Sequence, residues 1–258
     1  MRDFYERFYA VVNQSQAHAR FCERSFGRNL CQHGFADMAQ IDALIAALQL
    51  TPQHHLLDLG CGNGMIAEYI SDVTGAHVTG LDYIPAAIAQ AQARTAAKAD
   101  RLAFQVGDIN ALNLPAATYD AILAIDAIYF SNDYEATIRQ LVAALRPGGH
   151  LAFFYAHGIL PGVAVADFQP ETLAPECTPL AAALQANGLT FTATDFTDEE
   201  YRLAQLRKTV LTELEPAFAA EDIRFLFENR MGEAQGISRA IERGLHRRYL
   251  YLCHAVAV

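Results

Sequence analysis

Leu56-Leu57-Asp58-Leu59-Gly60-Cys61-Gly62-Asn63-Gly64 reads as a buried strand running into a glycine-rich turn, with a helix starting near Met65. Glycines at 60, 62 and 64 can take positive φ and present bare backbone, so a flat ligand can lie directly on the main chain. Two kinds of cofactor turn share this look, and spacing separates them. The dinucleotide fingerprint G-x-G-x-x-G/A puts its third small residue three positions after the second glycine. Counted from Gly60 and Gly62, that position is Met65, whose bulk obstructs close helix packing. Here the third glycine is Gly64, Cys61 fills the tight turn, and Asp58 lies two positions before the first glycine. A carboxylate there repels pyrophosphate but can hold the ammonium of an amino-acid-like ligand.

The segments that follow alternate between strand and helix patterns. His77 to Leu81 is a short strand-like run ending at Asp82, 22 positions beyond Gly60. Leu102 to Val106 is the next strand candidate, followed by Gly107-Asp108-Ile109-Asn110. Tyr119 to Ile125 reads as a buried strand that ends in Asp126-Ala127-Ile128-Tyr129-Phe130. A helix over Asp133 to Leu145 leads into the turn Arg146-Pro147-Gly148-Gly149 and the strand Leu151 to Tyr155.

In this order, over Leu56 to Tyr155, these features resemble the motifs of the class I S-adenosylmethionine (SAM) methyltransferases. The resemblance is to the small-molecule type, as in the methyltransferase-domain and cyclopropane-synthase-like groups. It implies an α/β fold, a doubly wound, seven-stranded, mostly parallel sheet, with SAM as cofactor and S-adenosylhomocysteine as product. By resemblance, Asp58, Gly60, Cys61, Gly62 and Gly64 cradle the methionine end, and Asp82 accepts the ribose hydroxyls. Asp108 accepts the adenine amino group, Ile109 and Tyr83 cover the two ring faces, and Asp126 opens the fourth motif. Tyr129 borders the transferring methyl, as a wall or as a hydrogen-bonding guide. The Asp126-Ala127-Ile128-Tyr129 run lacks the Asn/Asp-Pro-Pro-Tyr/Phe pattern of many enzymes that methylate nucleic-acid or glutamine amino groups.

Composition narrows the partners. The 258 residues, 52% of them hydrophobic, can bury a sizeable core. A formal charge of −10 argues against nucleic acid, which is bound through clustered Lys and Arg; the pI is near 5.3. A small-molecule substrate is expected instead. No stretch approaches the ~20 apolar residues of a membrane span, and the charged, aromatic start of the chain lacks a signal-peptide core. Five cysteines with no C-x-x-C spacing read as free thiols of a cytoplasmic protein, with no metal site.

Outside the motif region four segments are expected: helical additions over 1–50, the SAM-binding core over 51–196, a helical insert over 197–245, and a last core strand over 246–258. Phe4, Tyr5, Phe8, Tyr9 and Val12 recur at helical spacing, so one face either covers the core or, through residues such as Tyr9, lines a substrate pocket. The loop Gly27 to Phe35, ahead of a helix over Asp37 to Leu48, resembles the segment over the methionine end of SAM, which makes His33 a substrate-site candidate. A loop punctuated by Pro161, Pro170 and Pro175 leads to a helix near Pro179 to Ala186. Leu189 to Phe196 and Arg247 to Val258 read as strands that pair antiparallel. Between them, Tyr201, Leu203, Leu206, Val210, Leu211 and Leu214 form an apolar stripe broken by Pro216. The insert is expected to be a lid over the site, with a homodimerisation arm as the alternative.

Methyl transfer needs in-line alignment of the nucleophile at about 3 Å, and a hydroxyl or protonated amine also needs a base. His157, just beyond the fifth strand, is the expected base. Tyr155, His157 and Arg230 join Tyr9, His33 and Tyr129 as expected substrate-site residues. A non-catalytic SAM-binding module and a protein or RNA methyltransferase are the competing classes.

Overall fold

The computed structural model describes residues 1–158 and 168–254. Pro161 and the last four residues of the expected final strand lie outside them. Among the described residues seven strands form one sheet: β1 (His55–Leu59), β2 (His77–Asp82), β3 (Leu102–Val106), β4 (Tyr119–Ile125), β5 (Leu145–Gly158), β6 (Thr190–Asp195) and β7 (His246–His254). Their order is β3-β2-β1-β4-β5-β7-β6. Strand β1 pairs in parallel with β2 on one side and β4 on the other, and β7 runs antiparallel between β5 and β6. The strand order reverses between β1 and β4, which opens a crevice beyond their carboxyl ends. Leu56, Leu57 and Leu59 of β1 are buried, as a strand covered on both faces requires.

The helices are α1 (Arg2–Val11), α2 (Gln16–Phe26), α3 (Met38–Leu48), α4 (Met65–Thr74), α5 (Pro85–Arg94), α6 (Tyr134–Ala144), α7 (Pro179–Ala186), α8 (Thr197–Ala220) and α9 (Arg224–Glu242). Local chemistry sets several of their starts. Asp37 accepts from the Gln40 amide and Asp133 from the Ala136 amide, each satisfying an orphan N–H. Ser15 and left-handed Gly27 bound α2, a helix that apolar spacing alone does not single out.

Two apolar clusters sandwich the sheet. One joins β4, β5 and β7 to α6 and α7, and the other joins β1, β2 and β3 to α3, α4 and α5. A third unites the beginning of the chain with the insert: Phe8, Phe21 and Phe26 pack with Leu203, Val210, Leu211, Leu214, Phe218 and Leu226. The stripe of the insert is therefore buried against α1 and α2 of the same chain. Leu206, expected in that stripe, is 43% exposed. Pro216 does not break α8, which runs through it to Ala220. The missing N–H falls in the last two turns, and Leu214 and Phe218 anchor both sides of it in the core. The Arg146-Pro147-Gly148-Gly149 turn lies within β5 as an irregularity, where its register against β4 slips.

Candidate functional site

A cavity of about 430 Å³ opens at the carboxyl ends of β1, β2 and β4, roofed by α1, the 30–36 loop and Glu233 of α9. Its size is that of a small-molecule site. Gly60 (φ 80°) and Gly62 (φ 56°) form its floor, in a conformation that side chains rarely adopt. A β-carbon at Gly60 would collide with Ala127, and one at Gly62 with the Tyr9 hydroxyl. The bare backbone thus has neighbours on one side and the cavity on the other. Cys61 is buried in the same turn and lines the cavity, whereas Gly64 sits behind it, starting α4 against Phe104.

Two carboxylates face this floor. Asp82 is 9% exposed and accepts from the Gly62 amide at 2.9 Å and from the Ile84 amide at 2.9 Å. Burial raises its pKa, while those amides act against the rise. Remaining lone pairs leave it able to accept from a diol. Asp58 is 3% exposed and accepts no hydrogen bond from any described residue. Burial, and then the neighbouring Asp82, push its pKa up to about 7. A buried acid without a donor is costly unless a cation or donor arrives from the cavity.

Farther out, Asp108 is exposed and turns on itself, accepting from the Asn110 amide at 2.9 Å. Ile109, Asn110, Tyr83 and Phe130 line the same end. Asn110 fixes this rim by donating to the Phe130 carbonyl at 2.9 Å and accepting from the Asn132 amide at 2.7 Å. The result is a slot with an apolar side chain and an aromatic ring among its walls.

The opposite end is shaped from a distance. Arg248 of β7, fully buried, forks onto Asp126 at 2.6 and 3.0 Å and donates to Gln40 at 2.9 Å. Asp126 also accepts from the Phe35 amide at 2.7 Å and from the Tyr129 hydroxyl at 3.3 Å. Glu200 lies 3.7 Å from Arg248 and 2.6 Å from His246, completing a buried charge network. Arg230, also fully buried, donates to the carbonyls of Gln32 and His33, and its guanidinium lies over the Phe8 and Phe21 rings. Loop 30–36 is thereby fastened by two arginines that lie about two hundred residues later in the chain.

Of the expected site residues, the structure brings Asp58, Gly60, Cys61, Gly62, Asp82, Tyr83, Asp108, Ile109, Asp126, Tyr9, His33 and Tyr129 to one cavity. Asp126 differs from expectation in its task, because its oxygens are already engaged by Arg248, Phe35 and Tyr129. Tyr129 contributes a wall, since its hydroxyl accepts from the Ala156 amide at 2.5 Å and donates to Asp126. His157 is not among the lining residues. Its imidazole pairs with Thr172 at 2.9 Å and stacks on Tyr155, on the other side of β5. Tyr155 is buried in the sheet core against Tyr129, and Arg230 lies behind the loop it holds. Tyr5, one of the first-helix aromatics offered for the pocket, also lines it, whereas sequence reasoning missed Phe130, Asn63 and Glu233 as lining residues and Arg248 as the organiser. No local motif marks Glu233 or Arg248, because only the packing of α9 and β7 brings them to the site.

The stretch that carries the turn and its carboxylates, residues 56–149, matches the family described as methyltransferase domain. The chain is 33% identical over 149 residues to 27-O-demethylrifamycin SV methyltransferase of Amycolatopsis mediterranei, an alignment covering 53% of this chain and 54% of that protein. It is 33% identical over 132 residues to malonyl-[acyl-carrier protein] O-methyltransferase of Enterobacter lignolyticus, covering 50% and 51%. The chain thus spans about half the length of the curated relatives it matches. Among solved structures, a Haemonchus contortus phosphoethanolamine N-methyltransferase shares the fold at a TM-score of 0.76 and 16% identity, covering 97% of this chain and 60% of the other. The [4+2]-cyclase SpnF shares it at 0.66 and 19%, covering 84% and 80%. Shared fold therefore extends well beyond shared chemistry.

Proposed function

We propose that this protein is a SAM-dependent methyltransferase acting on a small metabolite. The observation that carries the reading is Asp58: a buried carboxylate without a donor, directly below a bare glycine turn and beside Asp82. These residues fit the cofactor. Asp58 would hold its ammonium, the Gly60–Gly62 backbone its flat middle, Asp82 its ribose diol, and Tyr83, Asp108 and Ile109 its base. Bound there, SAM supplies an electrophilic methyl on a sulfonium sulfur. The chain's own part is to align an acceptor and exclude water, which the roof of α1, loop 30–36 and α9 suits.

The curated relatives named above carry oxygen methyltransferase names or methylate an O-demethyl precursor by name, which favours oxygen as the accepting atom. Enclosure by the helices favours a small substrate over a polymer. The first helices and the insert, which share one core, would act together as the cap. Among the described residues no helix is long and apolar enough to cross a membrane. The five free cysteines support a reducing, cytoplasmic setting.

Calorimetry with S-adenosylhomocysteine tests the reading. Wild-type protein should bind at micromolar levels. Asp82→Ala, which removes two charge-assisted contacts worth about 1.5–3 kcal/mol each, should bind at least about a hundredfold more weakly. Equal affinity in both proteins would overturn the proposal. Incubating the protein with labelled SAM and a metabolite extract separates a catalyst from a pure binding module.

A further inference from the structure

We propose that Tyr5, His33 and Glu233 form a proton relay that ionises the acceptor, and that the acceptor is an acidic hydroxyl, a phenol or enol, on a flat apolar body. This rests on the methyl-transfer reading above. All three side chains line the cavity, yet they come from α1, the 30–36 loop and α9. The Tyr5 hydroxyl lies 3.3 Å from His33 Nδ1, and Nε2 of the same ring lies 3.9 Å from Glu233 Oε1. That Nε2 is buried and has no hydrogen-bond partner. With Tyr5 donating to Nδ1, the ring proton sits on Nε2 and faces the carboxylate.

The surroundings set the resting state of the relay. His33 is packed by the rings of Phe4, Tyr5 and Phe8 and faces Arg230, Arg207, His18, Asn229 and Glu233. Burial first, and then the two arginines, hold the imidazole neutral, with Nδ1 available to accept. Glu233 is itself held by Arg207 at 2.8 Å and Arg230 at 3.7 Å. Both arginines stand behind the cavity wall, where Arg207 bonds Glu233 and Arg230 bonds the carbonyls of Gln32 and His33, so that the carboxylate and the ring are held in place. Tyr5, Tyr83, Phe35 and Phe130 supply flat apolar walls.

The proton inventory closes. The acceptor O–H bond breaks, leaving its electron pair on oxygen. Its proton goes to the Tyr5 oxygen while the Tyr5 proton passes to His33 Nδ1. The resulting imidazolium passes its Nε2 proton to the Glu233 carboxylate, which stands 3.9 Å away and is 20% exposed, so that it can hand the proton on to water.

The test uses protein saturated with S-adenosylhomocysteine and 4-nitrophenol as probe, because the ionised probe absorbs in the visible. In wild-type protein the bound probe should ionise about one pH unit below the free probe, a tenfold enrichment of phenolate. His33→Gln and Tyr5→Phe should each abolish that shift, read in protein that calorimetry shows to be saturated with S-adenosylhomocysteine. Neutral binding of the probe, no binding, or an undiminished shift in both variants would overturn the relay while leaving the cofactor reading intact. Failure of S-adenosylhomocysteine itself to bind would instead sink the cofactor reading. In turnover with labelled SAM, His33→Gln should lower kcat on a phenol by at least about a hundredfold with little change in KM. A preference for amines over phenols would also overturn it.

Discussion

The two halves of the cavity are built on opposite plans. The half around residues 58–64, 82 and 108 is made where three neighbouring strands end, and each group arrives through its own strand tip. The half around residues 30–36 has little structure of its own and is held by Arg230 and Arg248, from α9 and β7. A site can thus combine a scaffold inherited from the sheet with a second wall assembled from distant parts. The first plan fixes what the backbone offers a ligand, and the second makes the opposite wall depend on residues far away in the sequence.

The sharpest way to break this contrast is to remove the distant anchor. Arg248→Met leaves Asp126 and Glu200 buried without their cation, and breaking such a network costs about 3–5 kcal/mol. Denaturant unfolding should register that loss, whereas a shift below about 1 kcal/mol would mean the loop is held by other contacts.

Asp58 should behave in the opposite sense. Its carboxyl is raised to about 7 in the folded protein from an ordinary value of 3.8. The native state therefore holds a proton between about pH 4 and 7 that the unfolded chain has released, and stability falls as pH rises through that window. Asp58→Asn should stabilise the ligand-free protein at pH 8 by a few kcal/mol, on the order of the linkage energy, and remove that slope. The same change should weaken cofactor binding. In wild-type protein, affinity for the ammonium-bearing ligand should climb with pH and level off near 7, with proton uptake or release followed by calorimetry in buffers of different ionisation heat. A flat affinity profile would take the ammonium away from Asp58.

Gly62→Ala should cost about 1–3 kcal/mol, from positive φ and crowding of the Tyr9 hydroxyl. Its thermal shift should be accompanied by weaker cofactor binding. The smallest effect belongs to His157→Ala. The residue is half-buried on the far side of β5, and kcat/KM should stay within about threefold of wild type, a change below 1 kcal/mol. A hundredfold loss would return that histidine to the chemistry.

Legibility follows the same division. Asp58, Asp82 and Asp108 could be read because a turn residue at a strand tip is placed by local sequence, and the strand order puts those tips side by side. His157 satisfied that rule too, yet β5 aims it at Thr172, since alternate residues of a strand face opposite ways. Asp126 could be located but not interpreted, because its partner stands 122 residues later. Glu233 and Arg230 sit on a helix with mixed charges, where nothing in the local pattern distinguishes a residue that will reach a cavity from one that stays in water, such as Glu228.

The late position of the anchoring arginines carries a consequence for biosynthesis. A ribosome releases the glycine turn and all three strand-tip acids while Arg207, Arg230 and Arg248 have yet to be made. The nascent polypeptide thus holds the strand-tip half of the cavity before the residues that fasten the other half exist, and that second half must wait for β7 to slot between β5 and β6.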